Sequence, residues 1–445
     1  MLYPFFFYVI ICTVLGDDRV KTVGILTLGC KVNTYESEFV RNELKNAGYE
    51  ICEFDDLCDV YIINTCTVTN SSDSKSRKMI RQAIRRNPNA CVVAMGCFIA
   101  ANPDYSEDGL DITIGNKDKS KIVELLDEYF QNKEVLKKQY TGRLKEFEDM
   151  YISSFPGRTR AFVKIQDGCD NFCSYCIIPF VRGKCRSKEE DQVVGEVTAL
   201  VQNGYQEVVL TGIHTGSYGV DLETSFSHLL ERLILIDGLY RLRISSIEVT
   251  ELKEDVLSLW KRSSVLVDHM HIPLQAGSDA ILKSMNRKYD LDFYKKKIAE
   301  IRAIRPDIAI STDVIVGFPG ESEELFLKTM DTCLEIGFSK IHVFPYSERR
   351  GTASSRMTDK VSEAEKKDRV KRLIALSQTL EENYMKKFLG QVVEVLVEET
   401  VDGFSYGHTG NYLHVKIQGE IPSHTFVKVK LDSIEYPYCL GKVEK

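Results

Sequence analysis

Excess positive charge is absent from this 445-residue sequence. It contains 58 Lys and Arg against 65 Asp and Glu, which gives a formal net charge of −7. This balance excludes a protein coated with basic residues on all sides, although a local basic surface remains compatible with it. Beyond its first residues, the sequence also has no hydrophobic run of the ~20 residues that a helix needs to cross a bilayer. We therefore expect a cytoplasmic protein with no stable membrane partner.

A markedly apolar leader occupies residues 1–20. It is almost wholly apolar from Met1 to Leu15. This run is too short to span a bilayer, it lacks the positive flank of a signal peptide, and Pro4 would disturb a helix early in it. Three interpretations stay open: an extension from a misassigned start codon, an anchor at the membrane surface, and an export signal.

The cysteines fit a disulfide framework poorly. They number thirteen, which is odd, and they are clustered in a long chain, whereas disulfide-rich domains are small and secreted. In a reducing compartment such cysteines are more often metal ligands or catalytic groups.

The length of the chain predicts two or three domains.

The N-terminal part, residues 21–135, is predicted to be a parallel α/β domain. Three apolar strands are expected to end at cysteines: "TVGILTLGC" at Cys30, "DVYIINTC" at Cys66 and "ACVVAMGC" at Cys97. Helical periodicity separates these strands. Alternation of strand and helix is typical of a parallel sheet.

Two further parts follow a polar linker. Residues 155–388 contain about six strand–helix units, which predict a partial or complete barrel of the triosephosphate-isomerase type, with its chemistry at the carboxyl ends of the strands. Residues 389–445 contain short β-rich runs split by Gly and polar turns, which predict a small β-barrel. The fold class is therefore α/β with a small C-terminal β-barrel.

A tight cysteine loop follows the first strand of the predicted barrel. "GCDNFCSYC" places Cys169, Cys173 and Cys176 with three residues and then two between them. Three thiolates can hold three corners of a [4Fe–4S] cube and leave one iron open. S-adenosylmethionine can chelate such an iron, and its reductive cleavage yields a 5′-deoxyadenosyl radical. The alternative is a zinc site in which Cys185 supplies the fourth ligand.

The three strand-end cysteines form a second candidate site. Carboxyl ends of parallel strands share one edge, so Cys30, Cys66 and Cys97 could converge on a second cluster with an open iron. Such a cluster could deliver sulfur to a carbon radical, which predicts sulfur insertion into a C–H bond. The alternative is burial as small core residues, which we assign to other cysteines; these are Cys52, Cys58, Cys91 and Cys333. Cys12, Cys185 and Cys439 receive no role.

Over residues 21–445 the sequence resembles the methylthiotransferase family of radical-SAM enzymes. The resemblance is carried by "TLGCKVNTYESE", "NTCTVTNSSDSKSR", "FVKIQDGCDNFCSYCIIPFVRG", "LTGIHTGSYG", "HIPLQAGSDAILKSMNRKY", "STDVIVGFPGESEE" and "VFPYSERRGTAS". It implies an N-terminal methylthiotransferase domain, a radical-SAM barrel and a C-terminal TRAM domain. It also implies two [4Fe–4S] clusters, an auxiliary one on Cys30, Cys66 and Cys97 and a radical-SAM one on Cys169, Cys173 and Cys176.

The resemblance further implies a substrate and partners. "GCKVNTYESE" and "FVKIQDGC" look most like the MtaB branch, which methylthiolates C2 of N6-threonylcarbamoyladenosine at tRNA position 37, next to the anticodon. S-adenosylmethionine serves as methyl donor and as radical source, together with a sulfur source and an electron donor such as flavodoxin or ferredoxin. The sister branch typically carries Gln–Met–Asn after the first cysteine, where this sequence has Lys31, Val32 and Asn33.

Three alternatives to this function stay open. They are methylthiolation of isopentenyladenosine in tRNA, methylthiolation of a ribosomal-protein Asp, and a non-catalytic, metal-stabilised tRNA-binding protein.

One local departure from the family pattern is "RGKCRSK", where basic residues are more usual in place of Cys185 and Lys188, while Arg182 and Arg186 remain.

Weaker signals surround these motifs. Glycines after predicted strands are candidates for binding S-adenosylmethionine, although such glycines usually mark turns; they are Gly212, Gly216, Gly219, Gly317 and Gly320. A basic helix after Cys66 is a candidate for tRNA phosphates, with a solvated helix face as the alternative; its residues are Lys75, Arg77, Lys78, Arg81, Arg85 and Arg86. Three C-terminal aromatic residues could stack on loop bases or form core; they are Phe404, Tyr406 and Tyr412. Base rates favour packing roles for His214, His269 and His271.

Overall fold

The computed structural model describes residues 20–131, 139–140 and 146–444. Apart from Val20, the apolar leader lies outside these residues, as does Cys12, so the three interpretations of the leader stay predictions. Within the described ranges, none of the helices combines the length and the apolar character that crossing a membrane requires.

The N-terminal unit is a six-stranded parallel sheet covered by helices. Its strands are β1 (Thr22–Thr27), β2 (Glu50–Cys52), β3 (Val60–Thr65), β4 (Cys91–Gly96), β5 (Ile112–Ile114) and β6 (Gln139–Tyr140), and its helices are α1 (Lys31–Asn46), α2 (Asn70–Arg86), α3 (Cys97–Ala101) and α4 (Ile122–Gln131). The strand order is β2-β1-β3-β4-β5-β6. Every residue of β3 and β4 is buried, as continuous apolar runs predict for parallel strands with both faces covered. The predicted parallel α/β sheet is confirmed.

The central unit is a partial barrel. Its strands are β7 (Arg160–Lys164), β8 (Gln166–Asp167), β9 (Arg186–Ser187), β10 (Glu207–Thr211), β11 (Arg241–Ile244), β12 (His269–His271), β13 (Ala309–Val316) and β14 (Lys340–Pro345). Its helices are α5 (Ile178–Arg182), α6 (Glu190–Gln202), α7 (Phe226–Leu233), α8 (Glu254–Arg262), α9 (Asp279–Ser284), α10 (Leu291–Ile304), α11 (Glu323–Ile336) and α12 (Glu363–Lys386). Short 3₁₀ turns occur at Lys119–Lys121, Thr215–Ser217, Val249–Glu251 and Ser354–Arg356.

The six long strands of this unit form two parallel groups. One group has the order β11-β10-β7 and the other β12-β13-β14. A bridge between Leu242 and Leu266 and a hydrogen bond from Ile247 N to His271 O (3.0 Å) join the groups. In the described part of the chain β7 does not pair with β14, so the barrel is open on one side. The six strands predicted from the sequence are all present, and of the two predicted forms the partial one is observed.

The C-terminal unit is a closed five-stranded barrel. It consists of β15 (Val392–Val401), β16 (Phe404–Thr409), β17 (His414–Gln418), β18 (Phe426–Glu435) and β19 (Tyr438–Val443), in the order β15-β16-β17-β19-β18. Alternate side chains fill its centre, among them Val395, Val429 and Cys439, all of them fully buried. The predicted small β-barrel is confirmed, and Cys439 is one of its core residues.

Candidate active site

Three adjacent strands bring the first set of cysteines to one edge of the N-terminal sheet. Cys66 follows β3 directly and Cys97 follows β4. The prediction that the first strand ends at Cys30 is wrong by three residues, because β1 ends at Thr27. Gly29 then adopts a φ of 101°, a left-handed conformation that suits glycine. This turn carries the chain off the sheet, so Cys30 precedes α1 rather than ending a strand.

Gly29 also allows Cys30 and Cys66 to lie close together. A β carbon at Gly29 would stand 2.9 Å from Cys66 Cβ and 3.0 Å from Cys66 Sγ, which is closer than side chains tolerate. The Asn33 side-chain amide donates to Leu28 O (2.7 Å) and to Thr65 O (3.0 Å) and so ties the turn to β3. Burial, together with negative charge on Cys97 and Cys30, raises the pKa of the Cys66 thiol. Since Thr65 of β3 also pairs with Gly96 of β4, the three cysteines are neighbours at this edge of the sheet.

A buried ionic network lies beside these thiols. Arg182 donates through Nε to Cys97 Sγ (3.2 Å) and through Nη1 to Glu36 Oε1 (3.0 Å) and Asp167 Oδ1 (3.1 Å). Lys119 and Lys164 also pair with Glu36, at 2.5 and 3.0 Å. Although burial raises the pKa of the Glu36 carboxyl, Arg182, Lys119 and Lys164 hold it well below its usual range. These three cations outnumber the two carboxylates, so the network presents excess positive charge to the cysteines.

The second set of cysteines occupies the loop between β8 and α5. Cys169 N donates to Gly183 O (3.0 Å) and Cys176 N to Cys173 O (2.9 Å). Ser174 fastens the middle of the loop to the residues after α9, because its amide donates to Met285 O (2.9 Å). The loop therefore holds a fixed shape with its three thiols on one short segment.

Charged groups also accompany this loop. Arg287 donates to Cys173 Sγ (3.3 Å) and forms an ion pair with Glu248. Cys185 Sγ lies 3.3 Å from Ser217 Oγ and 4.0 Å from His214 Nδ1. His214 in turn pairs with Glu251 at 2.5 Å. Cys185 is thus placed beside the loop, within a polar cluster that the sequence does not indicate.

Helix α5 connects the two sets of cysteines. It begins two residues after Cys176 and ends at Arg182, which contacts Cys97. The five residues of α5 rise about 7.5 Å, so a short, rigid segment leads from the second set of cysteines to the residue that contacts the first set. The sequence gives no sign of this connection, and the assignment of both sets of cysteines as cluster ligands stays a prediction.

Two cavities open onto the two sites and share a wall. One, of about 200 Å³, is lined by Cys176 together with Gln275 and Asp313. The other, of about 870 Å³, is lined by Cys30 and Cys66. The shared lining consists of Val68, Thr69 and residues 344–347. A molecule that fills both cavities would reach Cys176 on one side and Cys30 and Cys66 on the other.

The remaining predicted cysteines and glycines are placed as follows. Cys58, Cys91 and Cys333 are buried core residues as predicted, whereas Cys52 is only partly buried. A β carbon at Gly216 would meet Glu251 Oε2 at 2.2 Å, and one at Gly317 would meet Lys366 Cγ at 2.3 Å. Close packing accounts for both glycines, and their contact with S-adenosylmethionine, like that of Gly212, Gly219 and Gly320, stays a prediction.

The predicted basic helix is α2. Lys75, Lys78 and Arg85 are exposed and make no ion pair with a described residue. By contrast, Arg81 pairs with Glu107 (2.9 Å) and Arg86 with Asp55 (2.6 Å). The partly buried Arg77 lies over the ring of Phe98, 5.7 Å from its centroid. Three of the six predicted cations are therefore available to a phosphate backbone, and two are neutralised by carboxylates.

The N-terminal and central units, which carry the two sets of cysteines, both match families of known proteins. Residues 163–333 match the Radical SAM superfamily and residues 22–114 match uncharacterized protein family UPF0004. The chain is 42% identical, over 95% of its own length and 96% of the relative's, to threonylcarbamoyladenosine tRNA methylthiotransferase MtaB of Bacillus subtilis (strain 168). The chain belongs to the radical-SAM tRNA methylthiotransferase family. Enzymes of this family are transferases that use S-adenosylmethionine and iron–sulfur cofactors.

Other members of the methylthiotransferase family are also similar to this chain. The Aquifex aeolicus (strain VF5) protein named MtaB is 39% identical over 89% of this chain and 97% of its own length. A tRNA-2-methylthio-N(6)-dimethylallyladenosine synthase of Thermoanaerobacter sp. (strain X514) is 34% identical over 84% of this chain and 81% of its own length. Among solved structures, the radical S-adenosylmethionine methyltransferase TsrM of Kitasatospora setae shares the fold, with a TM-score of 0.53 and 12% identity over 74% of this chain and 72% of its own.

Proposed function

We propose that this enzyme methylthiolates C2 of N6-threonylcarbamoyladenosine at tRNA position 37, next to the anticodon. The observation that carries the proposal is that two adjoining cavities bring Cys176 on one side, and Cys30 and Cys66 on the other, within reach of one bound molecule. A base inserted there would lie between them. A base of the anticodon loop is poorly paired, so moving it into such a cavity costs only a few kcal/mol.

The donor atoms at both sites suit iron–sulfur clusters. Each site offers three cysteine sulfurs, one fewer than a fully ligated [4Fe–4S] cube uses. We assign the radical-SAM cluster to Cys169, Cys173 and Cys176, and the auxiliary cluster to Cys30, Cys66 and Cys97. When bound, these clusters and S-adenosylmethionine would supply the radical, the sulfur and the methyl group.

The protein's own groups would hold the charge of these thiolates. Arg287 donates to Cys173 Sγ and Arg182 to Cys97 Sγ, and hydrogen bonds from a charged donor to an anion are stronger than neutral ones. Glycines after β10 and β13 would border S-adenosylmethionine; they are Gly212, Gly216, Gly219, Gly317 and Gly320. An electron donor such as flavodoxin or ferredoxin and a sulfur source would complete the reaction, which we place in the cytoplasm.

Two observations support the threonylcarbamoyl branch over the isopentenyl branch. The relatives named for threonylcarbamoyladenosine reach 42% and 39% identity, against 34% for the relative named for dimethylallyladenosine. In addition, Lys31, Val32 and Asn33 follow the first cysteine, where the sister branch typically carries Gln–Met–Asn.

A nucleoside profile of tRNA tests the substrate. In a strain that lacks the gene, mass spectrometry of digested tRNA should show N6-threonylcarbamoyladenosine accumulating and its 2-methylthio form missing. A plasmid that encodes the intact chain should restore the 2-methylthio form, and a plasmid that encodes Cys173→Ala should not. Accumulation of unmodified isopentenyladenosine would assign the protein to the sister branch, and a mass change confined to a ribosomal protein would exclude tRNA as the substrate.

The exposed cations of α2 are expected to bind tRNA phosphates. Replacing Lys75, Lys78 and Arg85 together by Ala should weaken tRNA binding and lower the slope of log K against log salt concentration by about 2 to 3, since each phosphate contact contributes about 0.9. Filter binding at several salt concentrations measures both. A control that replaces the exposed Lys296, Lys367 and Lys371 on α10 and α12 removes the same charge elsewhere. If both variants lose tRNA affinity equally, the loss reflects the net charge of the protein and not a contact of α2 with tRNA.

A further inference from the structure

A cavity of about 350 Å³ lies between the partial barrel and the C-terminal β-barrel. Five of the eight histidines of the chain line it; they are His269, His271, His342, His408 and His414. We call this cavity the histidine pocket. Its lining also includes Ser311, Asn411 and Tyr412, which can donate or accept hydrogen bonds, beside the apolar side chains of Met385, Leu413 and Pro437. The pocket can therefore hold a group that has both an apolar part and a polar end.

Lys31 brings to this pocket an ammonium that makes no direct contact with a described carboxylate. It is the first residue of α1 and its side chain lines the pocket. In the part of the chain that the structure describes, its ammonium makes no ion pair and no hydrogen bond. The second lysine of the lining, Lys340, differs in this respect, since it pairs with Glu381 at 2.6 Å. A partly buried ammonium without a partner is costly unless a ligand supplies the counter-charge.

The charges behind Lys31 do not neutralise it. Arg160 donates to Tyr412 Oη (3.0 Å), and the guanidinium of Arg243 lies 4.3 Å from the centroid of the same ring. Each arginine already has a carboxylate partner, at 3.2 Å for Glu398 and 2.9 Å for Glu207. Asp313 attracts Lys31 electrostatically, but none of the described carboxylates contacts its ammonium.

Two buried polar atoms near Lys31 also lack partners. Arg243 is 1% exposed and its Nη2 makes no hydrogen bond in the described part of the chain. His269 is 9% exposed, and its Nδ1 likewise makes no hydrogen bond with a described residue. Groups of this kind are normally paired, so the pocket offers unused hydrogen-bonding capacity as well as unused charge.

The histidine pocket adjoins both cysteine sites. Lys31 directly follows Cys30, one of the proposed ligands of the auxiliary cluster. On the opposite side, His271 Nε2 lies 3.3 Å from Asp313 Oδ1, and Asp313 lines the cavity that contains Cys176. A base held between the two sites would therefore have the pocket within reach of a short substituent.

We propose that the histidine pocket receives the N6 side chain of the substrate base and that Lys31 binds the carboxylate at its end. The proposal rests on the function proposed above, because N6-threonylcarbamoyladenosine carries such a carboxylate while isopentenyladenosine carries an apolar group. Lys31 is then the residue that distinguishes the two bases. A site built to pair a charged group rejects an analogue without that group more strongly than an apolar pocket rejects a polar one.

Binding of modified RNA tests the assignment without any turnover. Anticodon stem–loop RNAs identical except at position 37 would carry threonylcarbamoyladenosine, its carboxyl methyl ester, or unmodified adenosine. The iron-loaded wild-type chain should bind the free acid about 10- to 100-fold more tightly than the ester, the range of a charge-assisted hydrogen bond. Lys31→Gln should bind the acid and the ester alike, and Lys31→Arg should retain part of the preference.

The control for these measurements is Lys45→Gln, which removes an exposed lysine from the other end of α1 and should behave as wild type. Iron content and the absorption spectrum of each variant verify that the chain has folded. If Lys31→Gln weakens binding of all three RNAs equally, Lys31 contacts an RNA phosphate and the assignment is wrong.

Failure of the Lys31 assignment can be separated from failure of the proposed function. A wild-type chain that prefers the free acid, together with a Lys31→Gln variant that keeps the same preference, overturns the assignment alone. A wild-type chain that binds threonylcarbamoyladenosine no better than adenosine contradicts the proposed substrate itself.

Discussion

Replacement of Cys66 by Ala is expected to separate radical formation from sulfur insertion. The anaerobically reconstituted wild-type chain should hold about eight irons, as two four-iron clusters, and the variant about four. Because Cys169, Cys173 and Cys176 lie on a different loop, reduction should still release 5′-deoxyadenosine from S-adenosylmethionine. The 2-methylthio product should fall below detection. Iron analysis, liquid chromatography of 5′-deoxyadenosine and mass spectrometry of tRNA nucleosides measure the three quantities.

Two companion variants make this result specific. Cys173→Ala should also hold about four irons, but it should lose 5′-deoxyadenosine together with the product. Cys52→Ala removes a partly buried thiol at the end of β2 and should match wild type in all three measurements. An unchanged iron content in Cys66→Ala would contradict the assignment of a second cluster to Cys30, Cys66 and Cys97.

Replacement of Glu36 by Gln is expected to destabilise the fold strongly. Glu36 is 1% exposed and pairs with Arg182, Lys119 and Lys164. The neutral amide would leave these buried cations with Asp167 as their remaining carboxylate, and removing one partner of a buried ion pair costs about 3–5 kcal/mol. Thermal unfolding followed by circular dichroism should show a midpoint lower by several degrees. Glu43→Gln, a partly exposed position on the same helix, should leave the midpoint unchanged.

The effect of Glu36→Gln should depend on pH with a definite sign. Burial raises the pKa of Glu36, but the three cations prevail and hold it well below its usual range, while an unfolded chain has a glutamate pKa near ~4.3. The stability that Glu36 contributes is therefore fully present above about pH 5 and is lost as the pH falls through the lower folded value. The difference between wild type and variant should be largest at neutral pH and should narrow below about pH 4. A difference that widens on acidification would contradict this account.

The sequence predicts the strands, and the position of two of the three strand-end cysteines, because these signals are local. The apolar runs of β3 and β4 mark buried parallel strands, and Cys66 and Cys97 stand where those runs stop. Cys30 is the exception, since Leu28 prolongs the apolar pattern while Gly29 turns the chain away. A glycine just before the cysteine is the signal that could have ended the strand earlier.

The charged network and the histidine pocket depend on contacts between distant segments, which a single sequence does not reveal. One signal for the network is nevertheless present. Glu36 stands four residues from both Val32 and Val40 on the buried face of α1, and a glutamate in an apolar stripe indicates a buried cation partner. For Tyr412, the sequence leaves stacking on RNA and core packing open, and the structure places the ring against Arg160, Arg243 and His269.

The length of helix α5 limits which insertions and deletions this enzyme can accept. Surface loops of the barrel can lengthen with little effect on the chemistry, but the segment from Cys176 to Arg182 works as a spacer of fixed length. One inserted residue would turn Arg182 by about 100° around the helix axis and shift it by about 1.5 Å, which takes its guanidinium away from Cys97. The length of α5 thus sets where Arg182 stands relative to the second set of cysteines, and the contact of Arg182 with Cys97 then joins the central unit to the N-terminal unit.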